Sequence, residues 1–323
     1  MRFTAVFAIV FFLVLIVGCD PGELPIEPAD RGNAIITQLE MGPNYEKQMY
    51  FDLGTNSLVA ENDKNSWDIG LILSNNQHHI IINDSRGGKL AYEGNNPFEG
   101  GGSLGTLSWH YDYPSGHLDS TAAGQFLDSS GFYVMDLGVN TNGSTLGKRK
   151  FKVDTLDPLN YSIRIGTLNG NIDTTIVVEH DATTNLTCIS LLNYSKEAIE
   201  PMKEDWDLHF TQYMHLFVSD SSFTPYLVTG VLLNRYEVEA VKIDSIDFQK
   251  ITREHALMAK YKKGMNTIGY DWKYYDFQDG FIIYPNISYL ITDHEERYYK
   301  LRFLNFYNSA GEKGAPQFEF QEL

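Results

Sequence analysis

Residues 298–320, which read YYKLRFLNFYNSAGEKGAPQFEF, decide the fold. Apolar side chains alternate with Lys300 and Arg302 from Tyr299 to Phe303, and successive side chains of a strand point to opposite faces. This alternation predicts a strand that packs one face and shows its charged face to solvent. The Gly-Glu-Lys-Gly sequence at 311–314 predicts a turn that sends the chain back through the Phe-Glu-Phe at 318–320. The stretch is therefore predicted to be a core hairpin of an antiparallel sheet.

The rest of the chain repeats this kind of pattern in short runs. Runs rich in Tyr, Phe, Val, Ile and Thr, such as 206–219, are separated by clusters of Gly, Asn, Asp and Pro, which is typical of an all-β protein. We predict two antiparallel sheets packed as a sandwich in one domain over 34–323, with a soft subdivision near residue 200. One short helix is predicted near 252–263, because Thr252 can cap it and Gly264 can end it.

The N-terminus has the pattern of a lipoprotein signal peptide. Arg2 precedes an apolar run from Phe3 to Val17 that is too short to span a bilayer, and Gly18-Cys19 follows. We expect cleavage after residue 18 and acylation of Cys19, for example with palmitate, because several acyl chains anchor a protein stably. Residues 19–33 contain three prolines and are predicted to be a flexible tether. These expectations predict an exported, lipid-anchored protein.

Bulk charge limits the classes of partner. The chain has 25 Lys and Arg against 42 Asp and Glu, a net charge of −17, and such a surface repels the phosphates of nucleic acids. Nucleic acid is therefore not expected as a partner. Cys188 lies in an alternating run from Leu186 to Leu191, which predicts a buried strand thiol and no internal disulfide.

Motifs of catalysis and zinc binding occur only as isolated matches. The Gly-Gly-Ser-Leu-Gly of 101–105 matches a nucleophile elbow, but that chemistry needs a strand before the serine and a helix after it. His78 and His79 are adjacent in a predicted strand and point to opposite faces, so they do not form a zinc site. These motifs therefore predict neither an enzyme nor a zinc site.

Two segments resemble each other weakly. Residues 67–71 read WDIGL and residues 206–210 read WDLHF. Five residues are too few to establish an internal duplication.

Several phrases in the same order resemble the HmuY family of surface lipoproteins. They are YFDL at 50–53, SWDI at 66–69, WDLHFTQY at 206–213, PYLVTGVLLN at 225–234, IGYDWK at 268–273 and the hairpin of 298–320. The resemblance covers about residues 45 to 323. It implies a fold of two antiparallel sheets shaped like a grasping hand. It also implies a haemophore that captures haem and passes it to a TonB-dependent outer-membrane receptor for iron acquisition.

Haem iron accepts axial ligands from His, Met, Cys or Tyr. The ligand candidates are Met214, His215, His78, His79 and His209, and the aromatic candidates for the pocket are Trp67, Tyr213 and Phe217. His209 and His215 share a strand face about 20 Å apart, which is too far for one iron, so a ligand pair must unite two segments. The alternative for Met214 is a core residue, and the alternative for His209 and His215 is a hydrogen-bonded surface group.

Two hypotheses of different class remain open. The first is haem capture, which requires two ligand side chains facing each other across a gap. The second is a surface binding or adhesion module on the same fold, for a peptide, a glycan or a receptor partner. The chain is longer than compact haemophores, with extra residues around 80–190 that could cover a pocket or serve another partner.

Overall fold

The protein is a β-rich molecule in which twenty strands are described. The structure, a computed structural model, describes residues 32–94, 96–99, 106–124, 131–219 and 222–323, with the backbone alone at 222. The predicted signal peptide, Cys19 and the tether up to residue 31 lie outside the described residues, as does the 101–105 motif. The strands are β1 (Ile35–Gln38), β2 (Lys47–Asp52), β3 (Ser57–Asp63), β4 (Ile69–Ser74), β5 (Gln77–Ile82), β6 (Lys89–Glu93), β7 (Phe132–Asp136), β8 (Lys148–Asp157), β9 (Asn160–Gly166), β10 (Asp173–Glu179), β11 (Thr187–Ser190), β12 (Ser195–Glu197), β13 (Leu208–Ser219), β14 (Ser222–Leu233), β15 (Glu239–Ile243), β16 (Lys273–Asp276), β17 (Gly280–Ile283), β18 (Ser288–Thr292), β19 (Tyr298–Tyr307) and β20 (Lys313–Glu322).

These strands pair antiparallel in four larger sheets and one ribbon. The strand orders are β1-β20-β19-β18-β15, β10-β9-β8-β7-β6, β12-β11-β4-β5, β14-β13-β2-β3 and β16-β17. The prediction of an all-β antiparallel fold with a short helix is confirmed. The described part of the chain, however, contains five sheets where the sequence predicted two.

Two hydrophobic cores explain the larger number of sheets. One core contains buried side chains of β4 to β11, including Ile69, Phe151 and Ile189. The other contains buried side chains of β2, β13 to β15 and β18 to β20, including Phe51 and Phe318. Each core therefore lies between two sheets, and residues 33–323 form one compact unit.

The hairpin of residues 298–320 forms as predicted, with one difference. β19 pairs with β20, and Tyr299, Leu301 and Phe303 are buried. Lys300, predicted to show its charge to solvent, is only 4% exposed. Its Nζ donates hydrogen bonds to the carbonyl oxygens of Phe248 (3.1 Å) and Ile251 (3.2 Å). Residues 248–251, which are distant in sequence, cover this face of β19. The local alternation of side chains cannot predict such a contact.

The predicted helix is α1 (Arg253–Met258). The backbone N–H of Thr252 donates to Nδ1 of His255 at 3.2 Å, which satisfies a donor that the first turn leaves without a partner. α1 ends before the predicted residue 263, because Ala259 is extended and Lys262 pairs with Ala240 of β15.

The two Trp-Asp phrases occupy equivalent positions in the two halves. Asp68 Oδ2 accepts the backbone N–H of Leu191 at 2.5 Å, and Asp207 Oδ2 accepts that of Leu53 at 2.8 Å. The hairpin β2–β3 joins β13–β14, whereas β11–β12 joins β4–β5. The hairpin that precedes each Trp-Asp phrase therefore joins the strands that follow the other Trp-Asp phrase. We call the part of the chain up to β10 and the part from β11 onward the two halves.

Two asparagines complete this repeated arrangement. The Nδ2 of Asn83 donates to the carbonyl oxygens of Lys64 (2.7 Å) and Trp67 (2.9 Å). The Nδ2 of Asn234 donates to those of Lys203 (2.7 Å) and Trp206 (2.6 Å). The weak similarity between residues 67–71 and 206–210 is therefore part of an internal structural repeat. The five residues alone did not establish this repeat.

Cys188 lies in β11, is buried and forms no disulfide with any residue that the structure describes. The prediction of a buried strand thiol is therefore confirmed. Burial raises the pKa of this thiol well above the usual value. No helix within the described ranges is long and apolar enough to cross a membrane.

Candidate functional site

An open cleft of about 600 Å³ lies beside β13. Its walls combine rings, cationic side chains and a turn. The lining residues are His117, Tyr213, His215, Lys242, Lys262, Lys263, Gly264, Asn266, Thr267, Gly269, Tyr270 and Asp271. We call this the cationic cleft.

His215 of β13 forms part of one wall of the cationic cleft. Its ring meets Phe217 edge-on at a centroid distance of 4.7 Å and Tyr270 at 5.0 Å. Its Nδ1 is buried, and no group among the described residues hydrogen-bonds to it. Burial lowers the pKa of His215, and Asp271 partly opposes this effect. The lowered pKa favours the neutral imidazole, which is the form that binds a metal.

His117 reaches the cationic cleft from the segment 106–124. Asp112 fixes this segment, because its carboxylate accepts the backbone N–H groups of Ile82 and Ala122, both at 2.7 Å. The guanidinium of Arg235 donates to the carbonyl oxygen of Gly116. Imidazoles from two distant segments therefore line one cleft, as a haem ligand pair requires.

The turn at residues 264–270 forms the floor of the cationic cleft. A Cβ added at Gly230 would lie 2.4 Å from the carbonyl oxygen of Gly269, so this close approach requires glycine. It allows Val231 of β14 to pair with Gly269. Met265 N–H donates to the carbonyl oxygen of Ser115 at 3.0 Å, which joins the turn to the segment carrying His117.

Three lysines give the cationic cleft a local positive charge. Lys242 Nζ lies 2.9 Å from Asp271 Oδ2, and Lys263 Nζ lies 3.4 Å from Glu239 Oε1. Lys262 is exposed. In a chain of net charge −17, such a cluster favours an anionic ligand at this position.

His209, another ligand candidate, lies in a second and smaller cavity of about 100 Å³. We call this the inner cavity. The His209 ring stacks on Tyr50 at 4.3 Å, and its Nε2 is buried without a hydrogen-bond partner in the part of the chain that the structure describes. Burial lowers the pKa of His209 to about 3. Trp67 also lines the inner cavity and not the cationic cleft.

Three further candidates lie on β13. Met214 is buried, and its backbone N–H donates to Asp84 Oδ2 at 3.0 Å. Tyr213 is buried and lines both the cationic cleft and the inner cavity. Phe217 is 46% exposed and contacts the His215 ring. Tyr213 and Phe217 are therefore adjacent to His215, whereas Met214 does not line the cleft.

His78 and His79 have other partners. His78 Nδ1 lies 2.8 Å from the hydroxyl of Tyr161. His79 hydrogen-bonds the backbone of Leu118, and burial lowers its pKa. Neither residue lines the cationic cleft. His79 instead supports the segment that carries His117.

Sequence reasoning missed His117 and the three lysines. For His117, the sequence offers one signal: it lies in the extra residues around 80–190, which could cover a pocket. An all-β fold whose aromatic, cationic cleft is lined by two imidazoles is characteristic of a binding protein.

The chain belongs to the HmuY family, a family of haem-binding type, whose profile matches residues 44–320. No curated protein sequence matches the chain. Among solved structures it is similar to the apo HmuY analogue TFO of Tannerella forsythia, with 11% identity over 91% of this chain and 98% of that chain, at a TM-score of 0.30. It is also similar to apo PinO from Porphyromonas gingivitis, with 8% identity over 90% and 98% of the two chains and a TM-score of 0.29.

Proposed function

We propose that the chain captures haem in the cationic cleft and hands it to a TonB-dependent outer-membrane receptor for iron acquisition. The observation that carries this proposal is that His117 and His215, from separate segments, line one cleft with three lysines. Membership of the HmuY family supports the same function.

The residues of the cationic cleft match the chemistry of haem. Bound haem supplies an iron that accepts axial ligands from the protein and two propionate groups that are anionic at neutral pH. His117 and His215 would serve as the ligands, and Lys242, Lys262 and Lys263 would attract the propionates. Tyr213 and Tyr270 offer apolar ring surface to the macrocycle.

We further propose that acylation of Cys19 anchors the protein to the outer membrane, facing the exterior. The basis is the signal pattern at residues 1–19 and family membership. Replacing Cys19 with Ala should release the protein from the membrane fraction and abolish labelling with radioactive palmitate. Retention of both properties would contradict the anchor.

Single ligand substitutions test the proposed site. His117→Ala and His215→Ala should each weaken haemin binding by at least about tenfold, because each removes one of two axial bonds, and the Soret maximum should shift. His110→Ala is the matched control, because His110 is exposed and lies outside the cleft lining. Circular dichroism melts identify variants that have lost the fold.

Three results would contradict the proposed site. Both variants could bind haemin with the spectrum of the unmodified chain, which would place the ligands elsewhere. His110→Ala could cause the same loss, which would indicate nonspecific adsorption. The folded, unmodified protein could leave the haemin spectrum unchanged, which would favour the alternative of a surface binding module without haem.

A further inference from the structure

The end of β5 contacts both segments that carry the proposed haem ligands. The backbone N–H of Ile82 donates to Oδ2 of Asp112 at 2.7 Å, and Asp112 belongs to the segment that carries the first ligand. Two residues after Ile82, Oδ2 of Asp84 accepts the backbone N–H of Met214 at 3.0 Å, and Met214 lies in β13, which carries the second ligand. We call residues 82–84 the junction.

Asp112 also closes a loop around His117. Its Oδ1 accepts the backbone N–H of Ala122 at 2.7 Å, so His117 lies midway between the two ends of the loop. The backbone N–H of Tyr113 donates to the carbonyl oxygen of Ser120 at 3.0 Å, and that of Ser120 donates to the carbonyl oxygen of His117 at 3.0 Å. His117 itself is exposed, so the position of its ring depends on the loop backbone rather than on side-chain packing.

Asp84 supports β13 where β2 no longer does. Within the described ranges, β2 pairs with β13 only at residues 208–210. Beyond this point, the N–H groups on that edge of β13 need other partners. The carboxylate of Asp84 supplies one at Met214, and the next residue is His215. The backbone beside His215 is therefore fixed through the junction.

The junction is anchored independently of both ligand segments. The Nδ2 of Asn83 donates to the carbonyl oxygens of Lys64 and Trp67, and its backbone N–H donates to that of Asp68 at 2.8 Å. Ile82 is 3% exposed and Asn83 is 1% exposed. This buried anchor holds both segments in place before a ligand binds, which lowers the free-energy cost of ordering them on binding.

The carboxyl groups of Asp84 and Asp112 lie close enough to influence each other. Each residue is half-buried as a whole, but its carboxyl group is desolvated. Desolvation raises the pKa of Asp84 to about 7, and the charge of Asp112 adds to this shift. Desolvation raises the pKa of Asp112 to about 6, although its two N–H donors and Arg235 oppose this effect. Two neighbouring desolvated carboxyl groups destabilise the fold, and such groups concentrate at functional sites.

We propose that Asp84 and Asp112 are positioning residues, which together set the spacing between the imidazoles of His117 and His215. This inference rests on the proposed capture of haem in the cationic cleft. Two axial bonds require both rings to reach one iron at the same time, so a shift of either segment leaves only one bond. Asp84 and Asp112 act through the backbone and are not themselves ligands.

Hydrogen exchange tests the positioning without haemin. Asp112→Asn replaces one carboxylate oxygen with an NH2 group, which cannot accept from a backbone N–H. In the whole soluble chain, the backbone amides of residues 113–121 should therefore exchange about tenfold faster. Asp119→Asn is the matched control, because it removes the same charge from the same loop, is exposed and lies outside the cleft lining. It should leave the exchange rates unchanged.

Haemin titrations test the consequence for binding. Asp112→Asn and Asp84→Asn should each weaken haemin binding about tenfold and shift the spectrum toward that of His117→Ala and of His215→Ala, respectively. Added imidazole should restore the spectrum of two axial nitrogen ligands. His117→Ala combined with Asp112→Asn should bind haemin as tightly as His117→Ala alone, because Asp112 acts only through this histidine.

The outcomes separate the positioning role from the proposed function. If the unmodified chain binds haemin, exchange that is unchanged in Asp112→Asn, or that rises equally in Asp119→Asn, overturns the positioning role. Losses of binding that add in the double variant also overturn it, because they indicate a general effect on the fold. If the unmodified chain leaves the haemin spectrum unchanged, the proposed function itself fails and the positioning role fails with it.

Discussion

At the scale of single residues, burial decides the chemistry of the histidines. His215 and His209 both lie on β13, yet His215 faces an open cleft and His209 a small cavity. Alternation predicted correctly that they share a face, but it did not show what lies opposite each ring. Their expected alternative, a hydrogen-bonded surface group, does not describe His209, whose Nε2 is buried and has no partner within the described ranges.

The burial of His209 predicts a specific pH dependence of stability. Burial lowers its pKa from 6.5 to about 3, so the unfolded state takes up the proton first as the pH falls. The free energy of unfolding therefore falls as the pH drops from about 6.5 to 3, by at most about 5 kcal/mol. We call this decrease in the free energy of unfolding with falling pH the acid limb. In His209→Phe, urea melts at several pH values should show a smaller decrease.

The control for this prediction is His110→Phe at an exposed histidine. This variant should retain the acid limb of the unmodified protein. An unchanged limb in His209→Phe would show that His209 does not carry the effect.

At the scale of elements, the local sequence pattern predicts strands well, but it does not predict which distant segments pack against their faces. The hairpin β19–β20 and the start of α1 follow from alternation and from a capping residue, both of which are local signals. The burial of Lys300 and the placement of His117 depend on contacts distant in sequence. Segment 106–124 contains an isolated bridge between His110 and Leu90 and one 3-10 turn, Leu118–Ser120, so no periodicity marked it as a wall of a site.

The internal repeat predicts matched losses at its two asparagines. Asn83→Ala and Asn234→Ala each remove an amide that donates to two backbone carbonyl groups. Each should reduce the free energy of unfolding by about 2–4 kcal/mol, because buried acceptors lose their partners. Urea melts of both variants measure this effect.

Asn171→Ala, at an exposed turn position, is the control and should stay within about 0.5 kcal/mol of the unmodified protein. A large loss in only one of the two buried variants would contradict energetic equivalence of the halves.

At the scale of the whole molecule, the strongly acidic chain carries its proposed ligand site at a local cluster of lysines. The sequence predicted the net charge and the all-β class, because both follow from composition and local pattern. It did not predict the cluster, because Lys242 and the pair Lys262 and Lys263 come together only when β15 pairs with residue 262.

Charge reversal in the cluster should slow haem capture. Lys262→Glu combined with Lys263→Glu should reduce the association rate of haemin about tenfold at low ionic strength, with a smaller effect at high salt. Stopped-flow absorbance at both salt concentrations measures this change.

The matched control is Lys47→Glu combined with Lys250→Glu, which makes the same change in net charge outside the cleft lining. An equal slowing by the control pair would assign the effect to overall charge and contradict a local role of the cleft.

The most direct test of the central claim is an iron-edge anomalous difference map from crystals of the protein grown with haemin. The account predicts one iron peak in the cationic cleft, bonded to His117 and His215, with the propionates toward the lysines. An iron peak at any other position, or bound haem with neither histidine as a ligand, would contradict it.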